Sequence, residues 1–204
     1  SMAGQAEIPI VIYMSSRPGP GTGLATYSNQ GDLNLVLYAG HGEFNRVVLA
    51  PGDPKESIEA TNQAFHFSQK FRVPAFILSD KDLAESKSLV DEAKIIEIKN
   101  SITKPERFNS YEHDANGNAT ESAELTKKNF ERKGKITQEI KREAEKFEMI
   151  KIHGKKDSKN LVIGWGSTKG VIIDSISHDN LDSKFIQVLF MKPFPSKQVE
   201  QEIK

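Results

Sequence analysis

A lone cation stands among glycines at residues 17–32, where the chain reads R-P-G-P-G-T-G-L-A-T-Y-S-N-Q-G-D. Arg17 offers a planar fork of donors, and Thr22 and Thr26 add hydroxyls close by in sequence. Such a set suits the carboxylate of a small acid or a 2-oxo acid, gripped through parallel charge-assisted hydrogen bonds. Gly19, Gly21 and Gly23, interleaved with Pro18 and Pro20, cannot fill a core, so the segment is expected to be a sharply bent loop. It follows a strand-like run at residues 8–14, which places it at a strand's carboxyl end, where open α/β sheets bind ligands. Spacing alone equally allows a surface loop whose glycines only shape turns.

Other residues invite chemistry less strongly. His41 lies between two glycines beside Glu43, an arrangement open to an acid and base pair or to a plain hydrogen-bonding loop histidine. No second histidine stands at metal-ligand spacing. His113, flanked by Glu112 and Asp114, reads as a solvated polar turn. The G-W-G-S-T-K-G run at 164–170 invites comparison with a phosphate loop, but there lysine precedes the hydroxyl residue and here it follows. That leaves two readings: backbone amides at a helix start that bind an anion, or ordinary strand-to-helix turn chemistry. A G-x-S-x-G elbow is absent.

Composition narrows the field. The 204 residues are enough to bury a substantial core, and Lys plus Arg balance Asp plus Glu at 28 each, so no net field favours nucleic acid or an anionic membrane. With no cysteine, the chain offers no disulfide, no thiolate nucleophile and no ligand for an iron–sulfur cluster; any cluster serving it would sit on another subunit. Neither a run of the roughly 20 apolar residues of a membrane span nor a signal peptide is present, and a soluble cytoplasmic protein is expected.

The elements that must position these residues follow from pattern. Residues 8–14 predict a strand buried on both faces, as in a parallel sheet, and 46–50 predict another. Asp53, Pro54 and Glu56 start a helix by capping, first-turn proline and a capping box. Ala60, Ala64, Phe67 and Phe71 form its buried face, and residues 73–79 return as a strand, completing a crossover unit. Residues 81–91 predict a short polar helix, 94–99 an extended segment and 100–118 a polar excursion. Asn118 with Glu121 predicts the next helix start; Ile136, Ile140, Ala144 and Phe147 give an apolar stripe, and Gly134 predicts a weak point in it. A charged flexible stretch at 153–159 is expected to be a boundary. Beyond it, residues 161–163 and 185–191 predict two strands around a helix, with a last helix bearing Val199 and Ile203. Two strands cannot close a stable layer.

At 17–32 and 40–54 the chain resembles the α subunit of the thiamine diphosphate-dependent 2-oxoacid:ferredoxin oxidoreductases, whose loop runs R-G-G-P-S-T-G-L-P-T and then E-Q-G-D-L. The likeness extends in order through G-H-G-E-F at 40–44, V-L-A-P-G-D-P at 48–54, L-S-D at 78–80, Arg107-Phe108, Y-E-H-D at 111–114, G-S-T-K-G at 166–170 and P-F-P at 193–195. The loop is closer to the 2-oxoglutarate and general 2-oxoacid branch than to the pyruvate branch. Pro18, Gly21 and Ala25 depart from the family's Gly, Ser and Pro, which alters the bend.

The resemblance implies an α/β architecture: the later part of a pyrimidine-binding domain with its polar excursion (1–118), a helical linker (119–159) and the start of a transketolase C-terminal-like domain (160–204). It implies a fragment of an α subunit, inactive alone, within an enzyme that decarboxylates a 2-oxo acid oxidatively to an acyl-CoA and reduces ferredoxin. Thiamine diphosphate would be shared with a β subunit that holds the diphosphate, Mg²⁺ and an iron–sulfur cluster. Arg17 matches the family's carboxylate-binding arginine and Thr26 a threonine lining the substrate site, with Gly21, Thr22 and His41 as further lining. The competing readings are a non-catalytic anion-binding module and a transketolase-like thiamine enzyme without ferredoxin.

Overall fold

A computed structural model describes residues 1–91 and 109–204. The elements run α1 (Met2–Gln5), β1 (Val11–Ser16), α2 (Leu33–Tyr38), β2 (Val47–Leu49), α3 (Pro54–Phe71), β3 (Ala75–Asp80), α4 (Lys81–Glu85), α5 (Ala123–Ala144), β4 (Ile150–Gly154), β5 (Leu161–Gly164), α6 (Thr168–His178), β6 (Lys184–Val188), β7 (Phe190–Lys192) and α7 (Ser196–Ile203). Two sheets result, in the orders β1-β3-β2-β7 and β4-β6-β5. β1, β2 and β3 are mutually parallel, as the strand and crossover pattern predicts, while β7 runs antiparallel to β2.

α3 begins for the reasons read in its sequence. The Asp53 carboxylate accepts the Glu56 N–H at 2.8 Å and Pro54 occupies the first turn. Glu56 does reach back, but to the Gly52 N–H, at 2.7 Å. Ala60, Ala64, Phe67 and Phe71 are all buried against β2 and β3. Phe67 is fully buried and meets Phe147 and Phe190 with ring centroids 5.4 and 5.9 Å apart. This aromatic cluster therefore joins α3, the turn that follows α5, and β7.

Several expectations need correction. β1 is not buried on both faces: it begins at Val11 and is an edge strand, with Tyr13 53% exposed. After α2 the chain returns towards the amino end of β2. Asn118 does not start α5. It is held by the Asp114 turn, and Ser122 caps the helix instead by accepting the Leu125 N–H. Gly134 does not interrupt α5, since the packing of Ile140 and Ala144 outweighs one residue's poor propensity.

The stretch from 153 is not wholly flexible, because His153 and Gly154 are ladder residues of β4, paired with Phe185 and Lys184 of β6. That supplies the third strand missing from the sequence reading. The run at 185–191 is two strands: β6 stays in the second sheet, the chain passes Leu189, and β7 crosses to the first. The extended segment expected at 94–99, the first part of the 100–118 excursion and Arg107-Phe108 lie outside the described residues. The remainder of that excursion is a turn closed by a bridge between His113 and Ala119.

Gly134 is exposed inside α5, and a Cβ there would meet nothing within 4 Å. Gly134→Ala is expected to stabilise the fold by about 0.5–1 kcal/mol, read as a raised midpoint in urea unfolding. A lowered midpoint would contradict the unobstructed helix.

Candidate functional site: the arginine loop at the carboxyl edge

Three segments leave the carboxyl edge of the parallel strands: the loop at 17–32 after β1, the Pro51-Gly52-Asp53 turn after β2, and Asp80 with α4 after β3. The first is tied at both ends. The Arg17 N–H donates to the Asp32 carboxylate at 3.0 Å, and the Asp32 N–H donates to the Ser16 hydroxyl at 3.1 Å. Within the loop, Gly23 has φ +52° and a Cβ would stand 1.8 Å from the Pro18 carbonyl oxygen, so no other residue fits there. The Ser28 hydroxyl accepts the Asp82 N–H at 3.0 Å, and the Gln30 side-chain amide donates to the Trp165 carbonyl at 2.8 Å.

Arg17, Gly21, Thr22 and Thr26 are all exposed on this rim. Among the described residues the Arg17 guanidinium has no ion-pair or hydrogen-bond partner, and the two threonine hydroxyls make no hydrogen bond. A guanidinium held on a tethered loop and left unpaired is a ready receptor for an external carboxylate. His41 is placed apart from it. It lies between α2 and β2, on the way to the amino end of β2, and lines a cleft of about 450 Å³ with Glu43, Phe44, Gln5 and Glu112. No residue of the 17–32 loop lines that cleft. His113 flanks a different cleft, beside Arg132 and Asn129.

The structure also joins residues that the sequence showed only separately. The 164–170 turn is a strand-to-helix turn, and it docks on all three segments of the carboxyl edge. Besides the Trp165 carbonyl on Gln30, Ser167 donates to the buried Asp80 carboxylate and Lys169 donates to Asp53 and to Glu56. The approach is close: a Cβ on Gly52 would stand 2.8 Å from the Gly166 carbonyl oxygen.

Glu56, 3% exposed, is the hub of this contact. One carboxylate oxygen accepts from Lys151 at 2.8 Å and Lys169 at 2.6 Å; the other accepts from Gly52 N–H and the fully buried Gln187, each at 2.7 Å. Gln187 in turn meets His153 at 3.0 Å. Burial by itself would raise the Glu56 carboxyl, but the hydrogen bonds from Lys151, Lys169 and Gly52 outweigh it and hold the group below its ordinary range. Lys151 is raised: burial opposes its charge, yet the hydrogen bond and attraction to Glu56 prevail. The signal was present in sequence as an acidic capping residue and a lysine in a glycine turn, without any sign that they meet.

No group of three or more His, Asp or Glu side chains among the described residues is placed to hold a metal ion. Among the described residues no helix is long and apolar enough to cross a membrane.

The parallel strands and the glycine loop at their carboxyl edge define an α/β domain with an exposed guanidinium on its rim. The chain belongs to the pyruvate flavodoxin/ferredoxin oxidoreductase, thiamine diphosphate-binding family, whose model matches residues 1–155. It is 30% identical over 229 residues to 2-oxoacid:ferredoxin oxidoreductase 1, subunit alpha, of Sulfurisphaera tokodaii, covering 98% of this chain and 36% of that one. It is 31% identical over 228 residues to the corresponding subunit of Saccharolobus solfataricus, covering 95% and 36%. Against the 2-oxoglutarate synthase subunit KorA of Methanocaldococcus jannaschii, identity is 27% over 222 residues, covering 95% and 59%. The chain thus spans about a third of the length of the 2-oxoacid:ferredoxin oxidoreductase relatives, 36%. A solved 2-oxoglutarate:ferredoxin oxidoreductase from Magnetococcus marinus, with 2-oxoglutarate, coenzyme A and succinyl-CoA bound, shares the fold at a TM-score of 0.76 and 21% identity, covering 98% of this chain and 40% of that one.

The Glu56 contact carries a pH signature. Its depressed carboxyl stabilises the fold above the ordinary carboxyl range, and that contribution is lost as pH falls through the folded value; the raised Lys151 contributes below its unfolded value and is lost as pH rises through the folded one. The melting temperature is expected to hold a plateau between these limits and to fall below about pH 4.5. Glu56→Gln should lower the plateau and flatten the acid limb; an unchanged acid limb would remove Glu56 from that role.

Proposed function

We propose that this chain is part of the α subunit of a 2-oxoacid:ferredoxin oxidoreductase, acting on 2-oxoglutarate or a related 2-oxo acid. The reaction is oxidative decarboxylation to an acyl-CoA, with electrons passed to ferredoxin. The observation carrying this reading is the exposed, unpaired Arg17 guanidinium on a loop tied at both ends to the carboxyl edge of the sheet. Its support is the family match and the relatives named as 2-oxoacid:ferredoxin oxidoreductase α subunits.

In this reading Arg17 grips the substrate carboxylate and Thr26 addresses the oxo group or the second carboxylate oxygen, with Gly21 and Thr22 shaping the rim. His41, sited near the opposite edge, takes no part in that grip. Thiamine diphosphate is shared with a β subunit, which holds the diphosphate, Mg²⁺ and an iron–sulfur cluster; the cofactor supplies the carbanion chemistry. The complex works in the cytoplasm with 2-oxo acid, coenzyme A and ferredoxin. The division into a pyrimidine-binding part, a helical connection and a transketolase C-terminal-like part belongs to the same proposal, with the third part beginning earlier, at β4, because β4 pairs with β6.

Because the carboxylate leaves as CO₂, an arginine holding it contributes binding and position more than acceleration. In the full-length α subunit assembled with its β subunit, Arg17→Ala should raise KM for the 2-oxo acid about tenfold or more with a smaller effect on kcat, as expected for the loss of a charge-assisted hydrogen bond. Arg17→Lys should fall between, since it keeps the charge and loses the fork. Steady-state 2-oxoacid-dependent viologen reduction measures both; an unchanged KM would refute the assignment.

A further inference from the structure

We infer that Gln30 is a positioning residue for carboxylate recognition, acting on Arg17 through the loop that both share; this rests on the function proposed above. Among the described residues, Gln30 is the one side chain of the 17–32 loop that bonds to the second sheet's connections, through its amide to the Trp165 carbonyl at 2.8 Å.

The anchor at the far end is firm. The Trp165 indole packs against two core clusters at once, the one around Val36, Val48 and Leu78 and the one around Ile186, Val188 and Val199. Its carbonyl also accepts the Thr168 hydroxyl at 2.7 Å, so both acceptor positions of that oxygen are engaged. A Cβ on Gly166 would stand 3.1 Å from the Gln30 amide nitrogen, so the glycine at 166 leaves room for the bond.

At the near end the link to Arg17 is short. Gln30 is followed by Gly31, where a Cβ would stand 2.8 Å from the Arg17 carbonyl oxygen, and then by Asp32, whose carboxylate receives the Arg17 N–H. The backbone of Arg17 thus lies against the very residues that Gln30 fixes. The opposite limb of the loop, from Gly19 to Tyr27, is exposed apart from Pro18 beside it, and is stiffened by the Leu24 N–H bond to the Pro18 carbonyl at 3.3 Å. Without the Gln30 bond, the returning limb would keep its ties at Ser28 and Asp32 but lose its attachment to the packed Trp165. The guanidinium would then sample more positions, and ordering it would be charged against substrate binding.

The test uses the full-length α subunit assembled with its β subunit. Gln30→Ala should raise KM for 2-oxoglutarate about fivefold, the effect of one neutral hydrogen bond, with kcat changed by less than about twofold. Gln30→Glu keeps the length but sets a carboxylate against the Trp165 carbonyl, and should raise KM further. Hydrogen exchange supplies a readout independent of turnover: backbone amides of residues 21–31 should exchange faster in Gln30→Ala, with the core strands unchanged. Unchanged loop exchange overturns the inference whatever the substrate. So does an unchanged KM in both Gln30 variants when Arg17→Ala raises it, a result that leaves the proposed function standing. A joint fall in kcat and core protection would mark a merely structural residue and also overturn it. If Arg17→Ala leaves KM unchanged while Gln30→Ala loosens the loop, the function proposed for Arg17 fails, and with it the role of Gln30 in recognition.

Discussion

A buried carboxylate, that of Glu56, must be satisfied on all sides, and the arrangement of the two sheets follows from how that is done. Two ammonium groups, a backbone N–H and a side-chain amide converge on it, from β4, α6, the turn after β2 and β6. Removing any of them would leave charge in a desolvated place, which is costly, so the elements bearing them are constrained to meet at one point. The apolar cores alone would not impose that register. Hydrophobic contact is tolerant of small slips, whereas a hydrogen-bonded ion cluster is not.

From this constraint the geometry of the rim follows. The same turn that delivers Lys169 to Glu56 delivers Ser167 to Asp80 and the Trp165 carbonyl to Gln30. The ends of β2 and β3 and the loop after β1 are thereby referenced to a single short segment. Arg17 remains outside the network, its guanidinium exposed and unpaired among the described residues, while its loop is tied through Ser16, Ser28, Gln30 and Asp32. That contrast, a free charge on a tethered base, is what a site for an external anion requires: the receptor group retains its capacity, and the loop's ordering is already largely done before the ligand arrives.

Much of this was legible beforehand where the determinants are local. The start of α3 was written in Asp53, Pro54 and Glu56, its buried face in the helical spacing of Ala60, Ala64, Phe67 and Phe71, and the bend after β1 in glycines that no other residue could replace at Gly23. Local reading failed where a tertiary partner overruled it. β1 looked buried on both faces because an apolar run does not say what packs against either face, and the run at 185–191 looked like one strand because nothing in it marks a change of sheet at Leu189. Asn118 looked like a helix cap until the Asp114 turn claimed it.

The amino-acid sequence by itself determined that a cation and two hydroxyls would be displayed on a glycine-rich bend at the end of a strand, because turn chemistry and strand patterning act over a few residues. Only the tertiary structure decided that Arg17 stays unpaired, that His41 lies apart from it, and that Gln30 and Trp165, 135 residues apart in the chain, hold the bend in place. Pairings of that range leave no periodic mark in sequence; they exist because a buried carboxylate and two packed sheets bring distant segments to the same few ångströms, where their polar groups find partners.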